Sequence, residues 1–130
     1  MAGMTLQPEP VEVAALPPNN STYSQAVRLG DLLFVSGQLG VDPQTRRLVE
    51  GGIAGQTRRA IENIALVLNA AGSGLSRVAK VNIFICDFSA LPEMNQVYSQ
   101  YFPHRPAKTT VEITGLDQGA LIEIEVVAAA

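Results

Sequence analysis

The chain is 130 residues long, 47% hydrophobic and 16% charged, and carries a net charge of −3 at pH 7. That length predicts one domain, 1–130, able to bury a real core without staples, and the composition is neither disordered nor fibrous. The nine Lys and Arg are scattered, with Arg46-Arg47 and Arg58-Arg59 the only doublets. The basic stripe of a nucleic-acid binder and the basic amphipathic helix of a membrane-surface protein are therefore both missing. One cysteine, Cys86, excludes an internal disulfide, and with the lone His104 it argues against structural zinc, so no metal is expected. The first ten residues do not read as a leader and no apolar run has membrane-spanning length, so a cytoplasmic protein is expected. Without a secretory signal, the N-x-S/T patterns at Asn19 and Asn20 carry no meaning.

In chain order, residues 1–18 hold Pro8, Pro10, Pro17 and Pro18 and are expected to run as an extended arm. Residues 25–29 and 32–35, joined by Gly30-Asp31, read as a β-hairpin. Leu32-Leu33-Phe34-Val35 is apolar at every position, which predicts a strand buried on both faces. A third short strand over 41–47 is optional, with the turn signal Asp42-Pro43. Thr57, Ala60, Ile61, Ile64, Leu68 and Ala71 recur at helical spacing and predict a helix over 53–71, stopped by Gly72. Residues 78–85 read as a β-branched strand. Ser89 is the expected N-cap of a second helix with Leu91, Met94, Val97, Tyr98 and Tyr101 on one face, ended by Pro103 and Pro106. Two strands follow, over 108–113 and 121–127. The order ββ(β)αβαββ predicts a mixed sheet with two helices covering one face. Strands apolar on both faces need a second cover, and another copy of the chain is the simplest one.

The last two strands hold the most chemistry. If they pair across the loop at 114–119, Lys108 and Thr110 fall near Glu125 and Glu123. A cation, a hydroxyl and two carboxylates then share one surface. The plain reading is a solvated sheet face with a weak ion pair, worth at most about 1 kcal/mol; the alternative is a site. Elsewhere, Tyr23 beside Ser24 is a turn residue or a ligand contact. Ser36-Gly37-Gln38 is a bulge or a set of strand-end amides facing a ligand. Cys86 reads as a small buried hydrophobe.

The runs Tyr23-Ser24-Gln25-Ala26, Phe34-Val35-Ser36-Gly37-Gln38-Leu39, Val41-Asp42-Pro43-Gln44-Thr45, Met94-Asn95-Gln96-Val97-Tyr98 and Ile122-Glu123-Ile124-Glu125 fall in order along the chain. Together with Ala70-Ala71-Gly72, Val78-Ala79-Lys80-Val81 and Tyr101-Phe102 they resemble the RidA/YjgF family, whose older labels include endoribonuclease L-PSP. The resemblance implies an α+β, chorismate-mutase-like subunit: a mixed sheet with two helices on one face, the sheets facing one another in a homotrimer. It also implies ligand clefts between neighbouring subunits, no cofactor, and hydrolysis of reactive 2-imino acids or their enamines to keto acids and ammonia. Residue by residue, Tyr23 matches the family's site tyrosine, though Ser21-Thr22 stands where Gly-Pro usually precedes it. Ser36 and Gly37 match the strand-end pair at the cleft, and Glu123 the carboxylate that handles the attacking water. Lys108 stands where family deaminases carry the arginine that grips the substrate carboxylate, and Thr110 where many carry Cys or another small residue.

The lysine changes the expectation, because an ammonium is a hydrated point charge without the planar fork of a guanidinium. Arg105, about 10 Å upstream along an extended chain, is too far to replace it. The leading reading is a hydrolase in which Lys108 anchors an anionic substrate and Glu123 acts as general base or proton relay toward the attacking water. Tyr23, Ser36, Gly37 and Thr110 then bind and orient the ligand. The alternative is a non-catalytic trimer that binds a small anionic metabolite in the same cleft. A third reading makes Lys108 a Schiff-base nucleophile activated by burial.

Overall fold

The computed structural model describes residues 6–17 and 22–130. Asn19, Asn20 and Ser21, and part of the expected arm, lie outside the described residues. The arm that is described runs extended, and its strand β1 (Glu9–Pro10) pairs antiparallel with β2 (Ala26–Leu29). Leu16 at its far end is buried in the core. The hairpin forms as the sequence predicts: β2 turns through Gly30, at φ 59°, into β3 (Leu32–Leu39). Residues 41–47 form a turn, closed by a single bridge between Val41 and Leu48.

Helix α1 spans Gly52–Ala70 and buries Thr57, Ala60, Ile61, Ile64 and Leu68, the stripe read from the sequence. Gly72 ends it at φ 80°, its N–H donating to the Asn69 carbonyl at 3.0 Å while Ser73 N–H reaches Leu68 at 2.9 Å. Strand β4 (Val78–Ile85) follows. The second helix, α2, spans Leu91–Tyr101. Its expected N-cap is corrected: Ser89 lies in a 3₁₀ turn, and the Asp87 carboxylate accepts from the Ser89 N–H at 2.8 Å. Strands β5 (Ala107–Glu112) and β6 (Ile122–Ala129) complete the chain.

The sheet order is β1-β2-β3-β6-β4-β5. Strand β5 runs parallel to β4, as the β4–α2–β5 crossover requires, and β6 inserts antiparallel between β3 and β4. The expected pairing of β5 with β6 is therefore wrong. Adjacent strands in sequence pair most often, but a strand–helix–strand unit takes its parallel neighbour first and leaves the last strand the centre.

Both helices pack on one face, over Leu33, Val35, Val81, Ile83, Ile85, Ile122, Ile124 and Val126. The sequence predicts Leu32–Val35 buried on both faces. In the single chain Leu33 and Val35 are buried, whereas Leu32 and Phe34 are 44% and 42% exposed. The second face of the sheet is bare. It presents Leu32, Phe34, Phe84, Val111 and Val127 together with Lys80, Asn82, Glu123 and Glu125. Among the described residues no helix is long and apolar enough to cross a membrane.

Candidate functional site

Lys108 and Glu123 stand on opposite faces of the sheet. Partners across a ladder share a face. Lys108 is the partner of Val81, which pairs with Val126, and both valines belong to the helix-covered core. Glu123 is the partner of Phe84 and Leu39, on the bare side. The expected single surface holding Lys108, Thr110, Glu123 and Glu125 does not exist within one chain. Its basis was the β5–β6 pairing that β4 prevents.

At the sheet's edge the Lys108 side chain rises beside α2. Its Nζ donates to Asn95 Oδ1 at 2.9 Å and sits 4.6 Å from the centre of the Tyr98 ring. Burial pushes the Tyr98 hydroxyl up to about 12, and the neutral ring turns its negative face to the ammonium. The tyrosine oxygen is buried without a hydrogen-bond partner. Thr110, two residues along, shares the Lys108 face. Lys108 is exposed, so the burial that a Schiff-base amine requires is not present in the single chain. Asn95 and Tyr98 were not singled out from the sequence as site residues, although Tyr98 belonged to the predicted apolar face of α2. The readable signal was Asn95 and Tyr98 three residues apart on a helix leading into β5.

Glu123 is held differently. The β3–β6 register breaks between Val35 and Gln38, so Ser36 and Gly37 stand opposite the single Glu125. This is a bulge. With no side chain at Gly37, the Glu123 carboxyl group lies on the β3 backbone; a Cβ there would meet its Cδ at 2.7 Å. Partial burial first, and the Glu125 charge second, push the Glu123 carboxyl above its ordinary range. Ser36 serves the bulge itself, its hydroxyl donating to the Ser24 carbonyl at 2.6 Å and its N–H to Gln25 at 2.9 Å. What Ser36 can still offer a ligand is the hydroxyl oxygen as acceptor. Tyr23, 53% exposed, borders a pocket of about 310 Å³ whose wall includes Gly37. The fold thus gathers Tyr23, Ser36, Gly37 and Glu123 at one end of β3, and Lys108 and Thr110 at the far edge of the sheet on its other side.

Gly37→Ala tests the seat of the carboxylate. The methyl group meets a flexible side-chain end, so the chain folds and Glu123 shifts. In any reaction that Glu123 serves, a displacement of that kind is expected to lower kcat by about ten- to a hundredfold while the melting temperature holds. Steady-state kinetics beside thermal unfolding checks it.

The family model described as Endoribonuclease L-PSP matches residues 11–130. The chain belongs to the endoribonuclease L-PSP family. Human 2-iminobutanoate/2-iminopropanoate deaminase is 35% identical to this L-PSP protein over 119 residues, 91% of this chain and 87% of its own length. Among solved structures, the Rid family protein YyfA of Yersinia pestis superposes with a TM-score of 0.90 at 37% identity, over 95% of this chain and 100% of its own. TdcF of E. coli, solved with bound serine, gives 0.87 at 30% identity, over 94% and 98%. The motif resemblance to the RidA/YjgF group thus holds, and the α+β architecture is that of the Rid proteins.

Proposed function

We propose that this L-PSP protein hydrolyses small 2-imino acids in a cleft formed between two copies of the chain. The observation that carries this is the split of the cation and the base between the two faces of one sheet. A cleft that uses both takes Lys108 from one copy and Glu123 from the next. The bare face gives the second copy an apolar surface to cover, with Leu32, Phe34 and Val111 exposed on it. A homotrimer with sheets facing inward closes such an arrangement. The similarity to an enzyme named for deaminating 2-iminobutanoate and 2-iminopropanoate supports the substrate class.

In this reading the Lys108 ammonium binds the substrate carboxylate, with Asn95 and the Tyr98 ring fixing its position. Thr110 lines the cleft beside it. Glu123, its carboxylate made more basic by burial, takes a proton from the water that attacks the C=N carbon. The new C–O bond forms as the C=N π electrons move to nitrogen. The proton then passes to that nitrogen to give a carbinolamine. Glu123 next carries the carbinolamine's hydroxyl proton to the same nitrogen as the C–N bond breaks and the C=O forms, and a 2-keto acid and ammonia leave. Tyr23 and the Gly37 backbone wall the cleft around the imine, and Ser36 holds the bulge. No cofactor enters this chemistry.

The test generates 2-iminopropanoate in situ with an amino-acid oxidase and follows keto acid and ammonia. Acceleration over buffer is expected; the buffer rate for this and several larger imines would sink the reading. One observation favours a second reading, a non-catalytic binder of small anions. Lys108 offers a single point charge already engaged with Asn95, which holds an anion without aligning it as a fork would. A 2-keto acid that raises the melting temperature with no turnover of any imine would select it.

A further inference from the structure

Three described residues other than glycine have left-handed backbone: Arg46 at φ 62°, Arg105 at φ 58° and Gln118 at φ 58°. Glycine adopts this conformation freely, whereas an L side chain is strained in it. Arg46 borders the pocket of about 310 Å³ that Tyr23 and Gly37 also line. Its place there is fixed by the turn that β3 runs into. The Arg46 N–H donates to the Asp42 carbonyl at 2.8 Å, the Asp42 N–H donates to the Arg47 carbonyl at 2.9 Å, and the Asp42 carboxylate accepts from the Gln44 N–H at 2.7 Å. The strain therefore lies in a hydrogen-bonded turn that brings Arg46 to the wall of the pocket, and an outlier of this kind points toward function.

The other polar groups of the wall are matched within the chain. Gln38 Nε2 donates to Gln25 Oε1 at 2.8 Å, and Asn63 Nδ2 to the carbonyls of Leu39 and Val41 at 3.2 and 2.8 Å. The ion pair found among the described residues, Arg59 with Glu62, leaves Arg46 out. An exposed arginine that lines the pocket of Tyr23 and Gly37, with no counter-ion among the described residues, is complemented by a carboxylate.

We propose that Arg46 reads the far end of the substrate, selecting 2-imino acids whose side chain carries a second carboxylate over those with a plain alkyl side chain. This rests on the hydrolase reading above, with the α-carboxylate held by Lys108 of the adjoining copy.

The test compares imines generated in situ from glutamate and aspartate with those from alanine and 2-aminobutanoate, using the wild type, Arg46→Gly and Arg46→Lys. Glycine suits φ 62°, so Arg46→Gly folds at least as well as the wild type while losing the charge. The wild type prefers the dicarboxylic imines. In Arg46→Gly the ratio of kcat/KM values, dicarboxylic over alkyl, falls about tenfold or more, chiefly through KM, and Arg46→Lys restores part of it. An unchanged ratio in Arg46→Gly, or no wild-type preference, overturns the proposal. If no imine is hydrolysed at all, the thermal shifts given by 2-oxoglutarate and 2-oxobutanoate still decide. A larger shift with the dicarboxylate that vanishes in Arg46→Gly upholds Arg46 although the hydrolase reading has failed, and equal shifts in both proteins overturn it.

Discussion

Chains carrying Lys108→Met and chains carrying Glu123→Gln, each inactive alone, regain activity when refolded together. In the proposed arrangement each cleft draws its cation from one copy and its base from the next. In an equimolar mixture half the copies bring an intact Lys108 and half an intact Glu123. Independent assembly therefore leaves about a quarter of the clefts with both, and about a quarter of the wild-type rate returns. The physical basis is the ladder: Lys108 pairs with Val81 on the covered side, Glu123 with Phe84 on the bare side. No rotamer carries either group through a hydrogen-bonded sheet. If the two acted within one chain, a mixture of single variants would stay at background, and that result would defeat the shared cleft. Size measurement of the mixture establishes that the copies have exchanged.

Glu123→Gln alone lowers kcat by about a hundred- to ten-thousandfold, the range associated with removing a general base. Its effect on stability runs the other way. Burial and then the Glu125 charge raise the carboxyl's pKa in the fold, so the folded state favours the protonated form. The stabilising contribution is full below the unfolded carboxyl's ordinary value and is lost as pH climbs through the raised value. At neutral pH the wild type thus holds a carboxylate the fold disfavours, and glutamine removes that penalty. The variant's melting temperature equals or exceeds that of the wild type at pH 7, and the wild type gains on it as the pH is lowered into the carboxylate range. A general base at Glu123 must be ionised, so on the proposed function kcat/KM of the wild type is expected to fall on its acid side. Paired pH profiles of rate and melting temperature check both signs. A variant that lost activity and stability together at neutral pH would make Glu123 a structural residue.

Much of this protein was written locally. The spacing of Thr57, Ala60, Ile61, Ile64 and Leu68 placed α1, Gly72 ended it, and Gly30-Asp31 joined β2 to β3. These features depend on periodicities and turn residues within a few positions of one another, which a single sequence displays directly. The candidate residues were also legible by type, and the apolar run at 32–35 already marked Leu32 and Phe34 as a face in need of cover.

What the sequence could not determine was which side of the sheet each candidate faces. That depends on strand order, a long-range choice between a hairpin of the last two strands and a parallel crossover with the final strand inserted at the centre. The crossover wins here, because α2 returns the chain parallel to β4 and the central gap between β3 and β4 is left for β6. One intervening strand then separates Lys108 from Glu123 and turns them to opposite faces. Tertiary structure likewise decided that Lys108 rests on Asn95 and Tyr98, that Gly37 makes room for a carboxylate, and that Arg46 meets Tyr23 at one pocket. All three bring together residues from separate elements, and their contact follows from packing rather than from spacing along the chain.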